Sequence, residues 1–325
     1  MLPGIECLRF LKQRQVLKFK GGSEMTYVIG IDIGGTNFRI GAVDSEGEIH
    51  HFKQMPSYFL TEGNVVDKMY CEINSYCNDF NLTEKVTRVA IGLPSIVNKD
   101  KSFVHSTPNL VGLNNIDLGN MLRDKLNIPV HVDRDVNFLL YHDIKVLNID
   151  PEQKKTVLGF YFGTGLGNAI YIDGKSYQGS NGAAGEIGHI PAIGKTKICG
   201  CGNKGCLETI ASGKYLQELA QEINDDKIEN IFTKHINHPS VLEFLENLAV
   251  SVAIECNILD PEVVVIGGGV VFMNDFPKEY LIKRIQEMLR KPHPYLNLQI
   301  LFSEHTQQSG VLGGAYYIRE NYKFN

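Results

Sequence analysis

Tyr27-Val28-Ile29-Gly30-Ile31-Asp32-Ile33-Gly34-Gly35-Thr36-Asn37 is a short apolar run, rich in β-branched residues, that ends in a glycine-rich turn. It reads as a buried strand closing into a hairpin. A second strand is expected over Phe38 to Val43, then a turn at Asp44-Ser45-Glu46-Gly47 and a third strand near Glu48 to Lys53. The same order returns later in the chain. Val157 to Phe162 is apolar and aromatic, Gly163-Thr164-Gly165-Leu166-Gly167 is a tight turn, and Asn168 to Ile172 leads to Asp173-Gly174. Glycines at such turns let backbone N–H groups approach an anion with no Cβ in the way, and a threonine adds a hydroxyl donor. Either hairpin alone could serve only to join two strands, but a pair at domain spacing could grip a polyphosphate from both sides. Neither contains the lysine-bearing glycine loop of a P-loop, and neither runs from strand into helix as a dinucleotide fold does.

The chain has 325 residues, more than one core usually holds, so two domains are expected. A formal net charge of -5, with no basic face on any one predicted helix, argues against a nucleic-acid partner. The longest apolar run, Val263 to Phe272, is broken by Gly267, Gly268 and Gly269 and falls well short of the roughly 20 residues that span a bilayer. No membrane partner is expected. Seven cysteines are too few for a disulfide scaffold of this length, and the amino terminus lacks a continuous apolar stretch, so the expected location is the cytoplasm.

Residues 1–24 precede the first strand and read as an extension that need not belong to the native protein. Lys20-Gly21-Gly22 can be encoded by a ribosome-binding sequence just ahead of Met25, which would make Met25 the natural start. An amphipathic helix docking on the body is the other reading of this segment.

Cys199, Cys201 and Cys206 crowd into one short loop that His189 precedes. Three thiolates and an imidazole make a closed tetrahedral set, the usual composition of a structural zinc site, with no open position for water. A redox pair at Cys199 and Cys201 is the alternative, but Cys-x-Cys strains a disulfide. A helical repeat of Val241, Leu245, Leu248, Val252 and Cys256 stops at Asp260-Pro261, after which strand Val263 to Ile266 runs into Gly267-Gly268-Gly269. His131-Val132-Asp133-Arg134-Asp135-Val136-Asn137 reads as a strand entering an Asp-rich corner before a helix.

Asp32-Ile33-Gly34-Gly35-Thr36-Asn37 together with Gly163-Thr164-Gly165-Leu166-Gly167 resembles the two phosphate loops of the actin and sugar-kinase superfamily. Gly182-Ala183-Ala184-Gly185-Glu186-Ile187-Gly188-His189 resembles the signature of the ROK family (repressor, open reading frame, kinase) position for position. The resemblance implies an α/β fold of two actin-like ATPase (ribonuclease H-like) domains with a central cleft, plus a small zinc-binding loop over 189–206. Its first domain would take 25–136 plus about 309–325, and its second 137–308. It implies ATP with Mg2+ held by Asp32, Gly34, Gly35, Thr36, Asn37, Gly163, Thr164 and Gly165, with Gly267, Gly268 and Gly269 against the adenosine.

A sugar would meet Asn109, Asp135, Glu186, His189 and Glu208, with Asp135 as general base. Zn2+ would be held by His189, Cys199, Cys201 and Cys206. The implied activity is phosphorylation of a free aldohexose at its 6-hydroxyl, and a homodimer is one expectation for its assembly.

Two positions depart from the family pattern. Arg134 stands where most ROK kinases have a sugar-contacting Asn, so it should either meet a different hydroxyl pattern or turn toward phosphate. Leu110-Val111-Gly112-Leu113 replaces a segment that usually carries Trp, and the chain has no tryptophan. Both are similar to the D-allose kinases of the family, so D-allose is the expected sugar, with glucose or another ROK hexose or N-acetylhexosamine next. A repressor would carry a helix-turn-helix domain ahead of the first loop, and only about 30 residues precede Asp32. A non-catalytic sugar sensor is the alternative of another class.

Overall fold

A computed structural model describes residues 25–61, 63–107, 110, 112–223 and 227–322. The proposed extension 1–24 and the proposed sugar contact Asn109 lie outside them.

The chain forms two five-stranded sheets of identical topology. The first holds β1 (Tyr27–Ile33), β2 (Asn37–Val43), β3 (Ile49–Pro56), β4 (Val86–Leu93) and β7 (Val130–Arg134) in the order β3-β2-β1-β4-β7. The second holds β8 (Thr156–Phe162), β9 (Leu166–Ile172), β10 (Lys175–Ser176), β11 (Val263–Gly267) and β12 (Gln299–Phe302) in the order β10-β9-β8-β11-β12. In each, three strands run antiparallel through hairpins and two more add in parallel. A small ladder of β5 (Ile96–Val97) and β6 (Val104–Ser106) stands apart. The third strand runs three residues beyond the expected Lys53, to Pro56, with its register shifted opposite Gly41.

Period-two alternation explains the layers, because successive side chains of a strand face opposite ways. Ile29, Ile31 and Ile33 of β1 join an outer core with α1 (Val65–Asp79) and α2 (Leu118–Leu126). Leu158, Phe160 and Phe162 of β8 likewise join an outer core with α4 (Gly213–Glu222), α5 (Ile231–His235), α6 (Pro239–Leu259) and α7 (Lys278–Met288). The intervening residues, Val28 on β1 and Val157 and Tyr161 on β8, share a third core with α3 (Asp135–Val146) and α8 (Ser309–Asn321). Strands buried on both faces read as near-continuous apolar runs, which is why both were visible in the sequence.

The middle layer is tight because glycines thin it. A Cβ on Gly30 would lie 2.2 Å from the carbonyl oxygen of Val311 in α8, and one on Gly313 would lie 1.8 Å from that of Phe138 in α3. Helix α6 ends where Asp260 adopts φ 48° and returns its N–H to Cys256, the stop expected ahead of Pro261.

Candidate functional site

In the first hairpin the Gly34 N–H donates to Asn37 O at 2.8 Å, closing the turn. Asp32, the last polar residue before it, meets Arg39 across the strand pair, with Arg39 Nη1 2.9 Å from Asp32 Oδ2. Arg39 also donates to Gln307 Oε1 from Nε at 3.1 Å and from Nη2 at 2.9 Å, and to Gln54 Oε1 at 3.2 Å. The Asp32 carboxylate lies over the first turn of α8, where a Cβ on Gly310 would come within 2.6 Å of its Cγ. Burial raises the Asp32 pKa, and Arg39 draws it back down. A charged pair in an otherwise apolar hairpin was the signal that sequence reading passed over at Arg39.

In the second hairpin the Gly163 N–H donates to Gly165 O at 3.0 Å. Helix α4 starts against it: Gly213 N–H donates to Gly163 O at 2.7 Å and Lys214 N–H to Thr164 O at 3.1 Å, while Ser212 caps the helix by accepting from Tyr215 N. The glycine run after β11 packs beside it. Gly268 has φ 93°, a Cβ there would stand 2.6 Å from the Phe162 backbone, and Val270 N–H donates to Phe162 O.

Both hairpins come close to the start of α3, whose first residue is Asp135: the second meets Val136, and the first lies beside it through β4. Asp32 pairs in register with Gly92 of β4, and a Cβ on Gly92 would lie 3.4 Å from Asp135 Cα. From the other side, Val136 Cγ1 sits 2.6 Å from where a Cβ of Gly167 would be. Burial pushes the Asp135 carboxyl up to about 6, with the Asp32 and Glu186 carboxylates adding to the rise. One oxygen, Oδ1, accepts from the N–H of Val136 at 2.8 Å.

The corner is held from beneath by a buried ion pair. Lys101 Nζ lies 2.5 Å from Asp133 Oδ2, while Asp133 Oδ1 accepts from Arg134 N and Asn137 Nδ2, both at 2.8 Å. Lys101 lies far upstream, so spacing gave no hint of it.

Arg134 is occupied within the protein. It crosses to the 182–189 segment and donates to Ala184 O at 2.5 Å and Gly185 O at 3.3 Å, with Nη2 2.8 Å from Glu186 Oε1. Glu208, expected to turn toward the sugar hydroxyls, accepts from Leu166 N–H at 3.0 Å through Oε2. That carboxylate therefore braces the second hairpin, and a Cβ on Gly165 would lie 2.2 Å from Oε2.

His189, Cys199, Cys201 and Cys206 bring one ligand atom each within 4.8 Å of one another. The Cys199 Sγ to His189 Nδ1 distance is 3.6 Å, and so is Cys201 Sγ to Cys206 Sγ. Zinc bond lengths in a tetrahedron give edges of about 3.5 Å for S···N and about 3.8 Å for S···S, so the set fits that ion. Burial pushes the Cys206 thiol up to about 12 and raises Cys199 as well, which suits a divalent cation whose charge offsets the thiolates. His189 keeps Nε2 for Glu186, whose Oε2 is 3.5 Å away, and Cys199 lies 3.7 Å from Glu208 Oε1.

The family model "ROK family" matches residues 28–321. The chain belongs to the ROK family. It is 27% identical over 320 residues to the glucokinase of Streptomyces coelicolor, covering 91% of this chain and 98% of that one. It is also 27% identical over 308 residues to the N-acetyl-D-glucosamine kinase of Aliivibrio fischeri, covering 88% and 97%. Among solved structures, a ROK family glucokinase from Streptomyces griseus in complex with glucose and AMPPNP superposes with a TM-score of 0.69 at 25% identity, covering 89% of this chain and 98% of that one. Among the described residues no helix is long and apolar enough to cross a membrane.

Proposed function

We propose that this protein is an ATP-dependent sugar kinase that phosphorylates a free aldohexose at its 6-hydroxyl, with D-allose as the preferred sugar. The observation that carries the kinase reading is the convergence of the two glycine hairpins on the start of α3, where Asp135 stands. Similarity to kinases of glucose and N-acetyl-D-glucosamine supports it.

The lobes 25–136 with 309–325, and 137–308, would close over ATP. Gly34 and Gly163 close the two turns, the other backbone N–H groups of Gly35, Thr36, Asn37, Thr164 and Gly165 would face its phosphates, and Gly267 to Gly269 would lie along its adenosine. Asp32 would help hold magnesium, which would supply positive charge to the phosphates. Asp135 takes the proton of the attacking hydroxyl, and Asn109, Glu186, His189 and Glu208 hold the remaining hydroxyls by accepting or donating hydrogen bonds. Closing the cleft excludes water, which would otherwise compete as acceptor.

Structural zinc on His189, Cys199, Cys201 and Cys206 would tie the 189–206 loop to the site through His189 and Glu208. D-Allose is favoured over glucose by Arg134 and by the tryptophan-free Leu110 to Leu113 segment. The test is ADP release with allose, glucose, mannose, N-acetylglucosamine and N-acetylmannosamine. Allose giving the highest kcat/KM is the expected result. Activity highest on another sugar overturns the preference, and no activity on any overturns the kinase.

A further inference from the structure

The geometry points to Arg134 as a positioning residue for sugar recognition, which acts by pinning the Glu186 carboxylate across the cleft rather than by touching the sugar itself. This rests on the kinase reading above. Arg134 leaves β7 of the first sheet, one residue before Asp135, yet its guanidinium is spent on the segment that follows the second sheet's hairpins. Ala184 O, Gly185 O and Glu186 Oε1 take its N–H groups, and the side chain is only 8% exposed. A planar fork satisfied on one side by two carbonyls and a carboxylate has little left to offer a hydroxyl.

The segment is shaped to receive it. Gly185 has φ 80°, and a Cβ there would lie 2.9 Å from both Asn168 O and Asn168 Oδ1 and 3.2 Å from Arg134 Nη1. The backbone is thus pressed between Arg134 and Asn168. Asn168 is fixed in turn, because its Nδ2 donates to Gly159 O at 3.0 Å and to Glu255 Oε2 at 2.7 Å. Glu255 is a buried carboxylate on α6 that the proposed reaction does not otherwise use, and the Arg134 charge acts on it favourably.

Glu186 is consequently held at both ends. Oε1 meets Arg134 at 2.8 Å and Oε2 faces His189 Nε2 at 3.5 Å, so the carboxylate is restrained through both oxygens, near enough to Asp135 for its charge to act there. An Asn at position 134 would be too short to make this clamp and would itself point a polar group at the site. With Arg134 the choice among epimeric hydroxyls falls to Glu186, and discrimination depends on how rigidly it is held.

The experiment is a double-mutant cycle on the full-length protein with Arg134→Gln, Glu186→Gln and the pair, reading KM for sugar, KM for ATP, kcat and the ranking of sugars. Arg134→Gln is expected to raise the sugar KM roughly 10- to 100-fold and compress the ranking, with the ATP KM unchanged. In the Glu186→Gln background the same change should add less than about threefold. Arg134→Lys, which keeps the charge but loses the fork, should fall between wild type and Arg134→Gln, and it carries the same cycle if Arg134→Gln does not fold. Additive losses, or an unchanged sugar KM and ranking in a folded variant, overturn the assignment. A wild-type chain that phosphorylates no sugar overturns the kinase reading, and this assignment with it.

Discussion

The two hairpins occupy the same place in two sheets of the same strand order, yet they are chemically unlike. In the first, Asp32 faces Arg39 across the strands; in the second, Tyr161 faces Gly167. Val28, Gly30 and Asp32 stand before Gly34 as Val157, Gly159 and Tyr161 stand before Gly163. The first pair puts charge at the cleft. The second removes a side chain so that Val136 of α3 can seat beside the turn, and it sends the Tyr161 hydroxyl to Asp143 at 2.8 Å, where it donates into a buried cluster with Ser303. A repeated scaffold has kept its backbone geometry while dividing the labour: one half carries the electrostatics and the other carries the packing.

The sharpest way to break this contrast is at the residue where both halves meet. Asp135→Ala should lower turnover by about 10²- to 10⁴-fold while sugar binding measured by calorimetry survives. Unchanged turnover would remove Asp135 from the chemistry. Next, Asp32→Asn should cost roughly 10²-fold in kcat, whereas Tyr161→Phe should change kcat by less than about threefold and cost about 1 kcal/mol of stability in urea unfolding. Equal kinetic losses from the two would mean that the halves are not specialised as described.

Cys201→Ser should strip the bound metal, seen by elemental analysis of purified protein. It should also lower sugar kcat/KM about 10-fold or more through His189 and Glu208. Metal-free wild type with full activity would detach that loop from the site.

The smallest effect is in pH. The Asp135 carboxyl is pushed up to about 6, so kcat/KM should rise through about pH 6 and level off above pH 7 as the base ionises. Stability runs the other way. A carboxyl raised from 3.8 holds its proton longer in the folded state, so folding loses support as pH climbs from about 4 to 6, and the loss persists above that window. Asp135→Asn should recover on the order of 2 kcal/mol at pH 7 while leaving the protein inactive.

How much of this was legible in the sequence depended on range. Strands β1 and β8 are buried on both faces, so their apolar runs stood out, and the glycine turns that follow were read correctly. The cysteine loop was legible for the same reason: its ligands are close in sequence, and His189 is the only distant one. Family resemblance, in the 131–137 and 182–189 segments, is what singled out Asp135 and Glu186 as candidates. Arg134 stood out as a departure, but its protein partners could not be foreseen, because nothing local tells an arginine which carbonyls will come to it from the 184–186 segment. Lys101 beneath Asp133, Gln307 on Arg39 and Glu255 on Asn168 were missed for a related reason. Each is a polar partner brought from far along the chain, and periodicity carries no information about such meetings. Sequence reading also gave Glu208 a single role, whereas its two oxygens serve two neighbours.

Helix α8 follows every strand of the second sheet in the chain, yet it packs on β1 and β4 of the first. During synthesis the second sheet and its helices can therefore be complete while β1 still lacks the helix that covers Gly30. The half that is translated first is completed after the second, and until α8 leaves the ribosome the part of its sheet around Gly30 lacks its cover.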